Sequence, residues 1–256
     1  MAVVRATLVY VFIALYILIV APIGMAWTFF SRDTTFIYGA ARLCVRMAGW
    51  MCRVKVIVRG REKVMPGQNY VFLSNHQGNF DGPVLLHVLA CDFRALIKKE
   101  MMRIPVLSLV MRQVQFVPID RSNPIQARAG LEHGARLLRQ GYSFIAFPEG
   151  TRSRDGRLRP FKKGVFLMAL RAGTPILPIT ILNTRTIQPP GAYGISPGTV
   201  EVIFHDAIPT TGRGSSARNQ LVERTRAAIA GALENQHVPP ACDEASIEAG
   251  RSASSP

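Results

Sequence analysis

The sequence predicts an α/β fold, a β-sheet with helices on its faces, preceded by a helical hairpin that holds the chain against a bilayer. Three observations carry this. From Cys52 to about residue 235, short apolar runs of strand length alternate with helical patterns, as in layered α/β domains. Ahead of them, Ala6 to Ser31 carries no charged residue between Arg5 and Arg32, longer than the about 20 residues a spanning helix needs. The next segment, 35–51, mixes Ile37, Leu43, Val45 and Met47 with Arg42 and Arg46, the pattern of a basic amphipathic helix.

Taken in order, the first segment is interrupted near its end by Pro22 and Gly24, so clean helix is expected over 7–21, bent or lying shallow. A cleaved signal peptide competes, but only Arg5 forms its basic region and the apolar run is long for that role. Segment 35–51 either lies in the headgroup layer or packs on the domain with Arg42 and Arg46 solvated. Residues 1–51 are therefore read as a membrane-anchoring part and 52–235 as the globular domain. The tail 236–256, with its Pro, Ser and Ala, is expected to be disordered. A length of 256 residues suits one domain with additions.

Within the domain, 54–58 reads as a strand, followed by a turn at Pro66-Gly67. Tyr70-Val71-Phe72-Leu73 reads as a buried strand, and a helix follows at 83–89. A short strand is expected at 93–97 and a helix at 101–112, interrupted by Pro105. Strand 116–119 carries Pro118, which suits a sheet edge or a strand end. Helix 125–140 has Ala129, Leu131, Ala135, Leu137 and Leu138 as its apolar face and Gly141 as its stop. Strand 143–147, helix 163–172 stopping at Gly173, strands 176–182 and 199–204, and helix 221–233 complete the order. No internal repeat is present.

The charge is lopsided, with 31 Lys+Arg against 16 Asp+Glu, a net +15. This favours an anionic partner: nucleic acid, membrane headgroups or a phosphorylated small molecule. Six Tyr and two Trp, without aromatic–basic interleaving, speak against a single-strand nucleic-acid platform, and no nucleic-acid partner is expected. Cys44, Cys52, Cys91 and Cys242 show no CxxC or Cys–His spacing. Three sit in apolar context, where free Cys behaves as a small hydrophobe. A reducing compartment, no disulfide framework and no metal are expected.

Two constellations carry chemistry. Asn75-His76-Gln77-Gly78-Asn79-Phe80-Asp81 begins where an apolar strand stops. On a continuous helix His76 and Asp81 would point about 140° apart, so they meet only across a turn, which Gly78 and Asn79 permit because both tolerate positive φ. Such a pair suits proton transfer, since imidazole titrates near working pH and a carboxylate fixes its tautomer. The plainer alternative makes Asp81 an N-cap for the following helix, with Pro83 near N1; one carboxylate can serve both roles. The second constellation leaves strand 143–147 as Pro148-Glu149-Gly150-Thr151-Arg152. Arg152, Arg154, Arg157, Arg159, Lys162 and Lys163 crowd the next interval. Guanidinium groups match phosphate bidentately, although a basic loop can simply be solvated.

In these blocks the chain resembles the glycerolipid acyltransferases, specifically the 1-acylglycerol-3-phosphate acyltransferases. NHQGNFD is one block. Lys99-Glu100-Met101 with Pro105, ending in Phe116-Val117-Pro118-Ile119-Asp120-Arg121, is another. FPEGTR (Phe147 to Arg152) with Lys162-Lys163-Gly164 is the third, and Ile176-Leu177-Pro178-Ile179-Thr180 a weaker fourth. The resemblance covers roughly residues 70 to 180 and implies a mixed sheet flanked by helices. It implies that His76 is the general base and Asp81 its orienting carboxylate. Glu149 and Arg152 would help to hold the acceptor, Gly150 and Thr151 would shape the loop, and Lys99 and Arg121 would contact phosphate. The chain departs from the family at Ser108 and Gln115, where glycine often stands, both near the expected acceptor pocket.

The activity so implied moves a fatty acyl group from an acyl thioester, on coenzyme A or acyl carrier protein, to the free hydroxyl of 1-acylglycerol 3-phosphate, giving phosphatidic acid. No cofactor beyond that co-substrate is implied. The expected setting is a bacterial inner membrane, with the catalytic domain on the cytoplasmic side and membrane lipid as partner. Two alternatives stand beside it: the same fold acylating an aminolipid or glycolipid, and a lipid-binding protein without turnover. A secreted hydrolase would want a G-x-S-x-G elbow that leads from a strand into a helix; the match at Gly194-Ile195-Ser196-Pro197-Gly198 leads instead into the strand expected at 199–204.

Overall fold

Strands β1 (Val54–Arg59), β2 (Val71–Ser74), β3 (Phe93–Lys98), β4 (Val117–Ile119), β5 (Ser143–Ala146), β6 (Ile176–Leu182) and β7 (Gly198–Phe204) build the centre of the molecule. The computed structural model describes residues 1–120, 122–210 and 217–235. Among these the strands form one mixed sheet in the order β1-β7-β6-β2-β5-β3-β4. Every pairing is parallel except that of β6 with β7. The middle strands β2, β5 and β6 are buried along their whole length, which is why they read as unbroken apolar runs. β4 lies at an edge, the place in a sheet where a proline such as Pro118 is tolerated.

Helices α1 (Ala2–Ser31), α2 (Thr35–Cys52), α3 (Asp81–Val88), α4 (Pro105–Gln113), α5 (Pro124–Arg139), α6 (Gly164–Ala172), α7 (Thr184–Ile187) and α8 (Arg218–Asn235) surround the sheet. Successive strand residues face opposite ways, and β2 shows the result. Phe72 joins the core formed with α1, α2 and α3 through Val9, Tyr38 and Leu85. Leu73 joins the core formed with α5, α6 and α8 through Leu138, Met168 and Ile229.

Several expectations need correction. Pro22 lies inside α1 and does not end it; the helix runs on to Ser31 and stops at Arg32, whose φ is 56°. Packing outweighs the proline here. Tyr16 donates to the Ala40 carbonyl at 2.9 Å, and a Cβ at Gly24 would stand 3.2 Å from Ile37 Cγ1, so α2 braces α1 on both sides of Pro22. Pro105 does not interrupt a helix but begins α4, after a 3₁₀ turn at Lys99–Arg103. Ala129 is exposed; the face of α5 is completed by Gly134, where a Cβ would meet Met168 Sδ at 2.5 Å. Arg42 is not simply solvated. Its Nη2 donates to the Cys91 carbonyl at 2.8 Å and pairs with Asp92 at 3.3 Å, tying α2 to the loop after α3. Cys44, Cys52 and Cys91 are free thiols. The proposed tail 236–256 and Arg121 lie outside the described residues.

Candidate active site

The parallel strands β2, β5, β3 and β4 end side by side, and loops at such carboxyl ends carry ligands. The loop after β2 opens with buried Asn75. Its amide pairs with the backbone of Ile181, donating to the carbonyl at 2.7 Å and accepting from the N–H at 2.8 Å. That clamp fixes where the chain leaves the sheet. His76 comes next, with its N–H donating to Glu149 Oε1 at 2.8 Å and its carbonyl accepting from Ser153 N at 2.7 Å. Its ring stacks on Phe147, centroids 4.0 Å apart and planes inclined by 15°.

The turn then folds back. His76 Nδ1 lies 2.6 Å from Asp81 Oδ2. The same oxygen accepts the N–H groups of Gln77 at 2.7 Å and Gly78 at 2.9 Å, while Oδ1 accepts from the Thr184 hydroxyl. Asp81 is wholly buried, whereas the His76 side chain keeps 22% exposure. An ionised carboxylate only accepts, so Nδ1 carries the hydrogen and Nε2 is left as the basic nitrogen.

The turn is not made as the sequence suggested. Neither Gly78 nor Asn79 has positive φ. Gly78 is required for space, because a Cβ there would sit 2.6 Å from the Thr184 carbonyl oxygen. The N-cap reading of Asp81 also gives way. Phe80 occupies the cap position and no side chain caps the helix; the Asp81 carboxylate turns back to close the preceding loop.

The second constellation folds onto the first. Glu149 is buried and spans two loops, with Oε1 accepting from His76 N and Oε2 from Arg159 N at 2.9 Å. Burial pushes its pKa up, partly offset by those two N–H groups. Both oxygens thus brace the backbone. Gly150 has φ 73°, and a Cβ there would meet Lys162 Cε at 2.8 Å. Thr151 and Arg152 stand exposed on the turn. Gln77 Nε2 donates to the Gly156 carbonyl at 2.8 Å, a further strut between the two loops.

Lys99 sits at the end of β3 with its Nζ 2.5 Å from Asp120 Oδ2. That hydrogen bond, helped by Ser122, pulls Asp120 down to about 2. At the two departures from the resembled family, Ser108 is buried and donates to the Pro105 carbonyl at 2.8 Å. Gln115 has φ 55°, a left-handed backbone that glycine adopts more readily.

An apolar cavity of about 520 Å³ opens between the hairpin and the domain. Tyr16, Val20, Ala41 and Cys44 line it from the hairpin, and Asn79 and Phe80 from the His76–Asp81 turn itself. Among the described residues no cluster of His, Cys, Asp and Glu is placed to hold a metal ion.

Asn75 and Phe147 were given no role from the sequence beyond membership of their blocks, and Thr184 was not singled out at all. Thr184 is 103 positions from Asp81 and gives no local signal.

An acyltransferase family model matches residues 55–182. The 1-acyl-sn-glycerol-3-phosphate acyltransferase of Borreliella burgdorferi is 35% identical over 144 residues, which is 56% of this chain and 58% of that one. The enzyme of the same name from Pseudomonas aeruginosa is 31% identical over 187 residues, 71% of this chain and 72% of that one. The crystal structure of the 1-acyl-sn-glycerophosphate acyltransferase of Thermotoga maritima superimposes with a TM-score of 0.75 at 25% identity, covering 94% of this chain and all of that one. With several curated relatives the match spans only about half of their length.

Proposed function

Because the chain belongs to the family of 1-acyl-sn-glycerol-3-phosphate acyltransferases, we propose that it acylates the free hydroxyl of 1-acylglycerol 3-phosphate from an acyl thioester, giving phosphatidic acid. The observation that carries the proposal is the 2.6 Å pair of His76 and Asp81 on a turn that also lines an apolar cavity. His76 Nε2 takes the hydroxyl proton as that oxygen attacks the thioester carbonyl. The imidazolium so formed is supported by Asp81, whose own position is fixed by the turn N–H groups. Collapse of the tetrahedral intermediate expels a thiolate, whose conjugate acid has a pKa of about 8.5, and the proton held on His76 is then released to it or to water. No acyl-enzyme is required.

The cavity suits a fatty acyl chain. The exposed cations Arg152, Arg154 and Arg157 suit the phosphates of acceptor and donor. In this reading residues 52–235 are the catalytic domain and residues 1–51 its anchor. The anchor is best read as lying in the plane of one leaflet. Near its start, α1 accepts from Ile195 N at Ala2 O (3.2 Å), and Arg5 donates to Ile195 O at 3.1 Å. Near its end, Gln113 Nε2 donates to Met25 O at 3.4 Å. Both ends therefore rest on one domain, which would itself be drawn into the bilayer if α1 crossed it. The outward row Leu15, Leu18, Ile19 and Ile23 is more than half exposed and supplies the apolar face for lipid. A bacterial inner membrane with the domain on the cytoplasmic side fits the free thiols.

The test is turnover by purified protein in detergent, with lysophosphatidic acid and either acyl-CoA or acyl carrier protein thioester, and with phosphatidic acid measured by mass spectrometry. Product from another lyso-lipid alone would move the acceptor assignment. Binding without turnover on a full acceptor panel would leave a lipid-binding protein.

A further inference from the structure

We propose that Thr184 is a positioning residue of the His76–Asp81 pair, a role that rests on the catalytic reading above. Thr184 follows Asn183, whose φ is 70°, and begins α7 immediately after β6. It is wholly buried, and its hydroxyl donates to Asp81 Oδ1. The other carboxylate oxygen takes His76 Nδ1 and the N–H groups of Gln77 and Gly78. Oδ2 alone is a pivot about which the carboxylate plane can swing. The Thr184 bond at Oδ1 stops the swing and keeps Oδ2 aimed at the imidazole.

Thr184 is itself held on both sides. Its carbonyl oxygen presses on Gly78 so closely that a Cβ would come within 2.6 Å. The same oxygen accepts from Gln188 N at 3.0 Å, and the Gln188 carbonyl accepts from Asn79 N at 3.1 Å. Gln188 Nε2 reaches on to the Tyr10 hydroxyl and to the Tyr193 carbonyl. A strap from Thr184 to Ile195 thus runs from the catalytic carboxylate to α1. The hydroxyl is the part that matters: a valine of the same shape leaves Oδ1 buried without its donor.

The experiment compares wild type, Thr184→Val and Thr184→Ser in full-length protein. For Thr184→Val, kcat is expected to fall roughly 10- to 100-fold, the size of a lost hydrogen bond to a charged group, with the KM of both substrates held within about 2-fold. The acid limb of the kcat–pH profile should move to higher pH, because a carboxylate without its donor makes the pair hold a proton more readily. Glu149, the other carboxylate beside His76, is intact in each variant, so the shift reports Asp81. Thr184→Ser should recover kcat to within about 3-fold of wild type. Wild-type kcat and acid limb in Thr184→Val, or a Thr184→Ser loss as deep as that of valine, would overturn the proposal. If the added methyl unfolds the protein, Thr184→Ala replaces it. If wild type turns over no lyso-lipid, the catalytic reading fails separately. Thr184 is then judged by histidine NMR assigned with His76→Ala: an imidazole titration unmoved by Thr184→Val overturns it, and one moved to higher pH upholds it.

Discussion

One carboxylate oxygen, Asp81 Oδ2, receives His76 Nδ1 at 2.6 Å and also two backbone N–H groups of the turn between them. The group proposed to support the base therefore also builds the loop that presents it. The two roles separate by substitution. His76→Ala removes the base and leaves both backbone bonds to Asp81 in place. A general base contributes about 10²- to 10⁴-fold, so kcat should fall by that order while the melting temperature stays close to wild type. Residual turnover near the wild-type rate would remove His76 from the mechanism.

Asp81→Asn separates charge from shape. An amide can keep its oxygen on the N–H groups of His76, Gln77 and Gly78 and turn its NH₂ to the Thr184 hydroxyl, which can accept as well as donate. The loop should therefore hold, with a melting temperature close to wild type, while the negative charge that would support an imidazolium is lost and activity drops. Full activity in Asp81→Asn would leave Asp81 with a structural role alone.

Gly78→Ala tests the contact with Thr184. The obstacle is the Thr184 carbonyl oxygen at 2.6 Å, a backbone atom that cannot rotate away. Overpacking of this kind costs about 1–3 kcal/mol, and the shift would fall directly on the Asp81 turn. A lower melting temperature with reduced kcat is expected; an alanine variant as stable and active as wild type would show the contact to be loose.

These cases mark what the sequence could reveal. β2, β5 and β6 were legible because burial on both faces leaves apolar runs, and Gly141 and Gly173 follow the helix ends their backbone freedom suits, whereas Pro105, expected to interrupt a helix, begins one. His76 and Asp81 were legible because one short turn joins them. Thr184 was not, since a four-residue helix has no periodicity and its partner comes from a distant part of the chain. Glu149 was legible as an unusual residue, but its use of both oxygens on backbone N–H groups depends on two loops meeting. Pro22 misled because local propensity lost to the packing of α2. The seat of β7 between β1 and β6, parallel to the first and antiparallel to the second, follows from strand order, which no local pattern encodes.

Arg152 is exposed and has no ion-pair partner among the described residues, whereas Lys99 is held by Asp120. A cation already paired gives up less to an incoming phosphate. Arg152→Ala should raise the KM for the acceptor about 10-fold or more, as for loss of a charge-assisted contact, and that for the thioester much less. Lys99→Ala should affect the acceptor KM less than Arg152→Ala does. Equal effects of Arg152→Ala on both substrates would detach it from the acceptor.

The Asp120 pair predicts a pH dependence. Hydrogen bonds from Lys99 and Ser122 lower the carboxyl from its ordinary 3.8 to about 2 in the folded protein. A depressed folded value means that the folded state binds this proton less readily than the unfolded chain does. Its stabilisation is complete above the unfolded value and fades as pH falls through the folded one. The melting-temperature advantage of wild type over Asp120→Asn should therefore be constant above about pH 5 and shrink between about pH 4 and pH 2. A difference that stays flat across that window would mean the pair contributes nothing through charge.

The orientation of α1 decides how the cavity meets lipid. At 30 residues the helix is about 45 Å long, enough to cross a hydrocarbon core of about 30 Å, so length does not discriminate. The contacts of Ala2 and Met25 with one domain do. If α1 lies in one leaflet, both of its ends face the same side of the membrane. Val4 and Phe30, 59% and 84% exposed, are suited to report this as Val4→Cys and Phe30→Cys in a protein whose four native cysteines are changed to serine. In sealed vesicles of known orientation, an impermeant thiol reagent should label both positions from the side that carries the catalytic domain, and neither from the other. Labelling of the two from opposite sides would mean that α1 crosses, and the hydrogen bonds that hold its ends to the domain would have to break in the membrane.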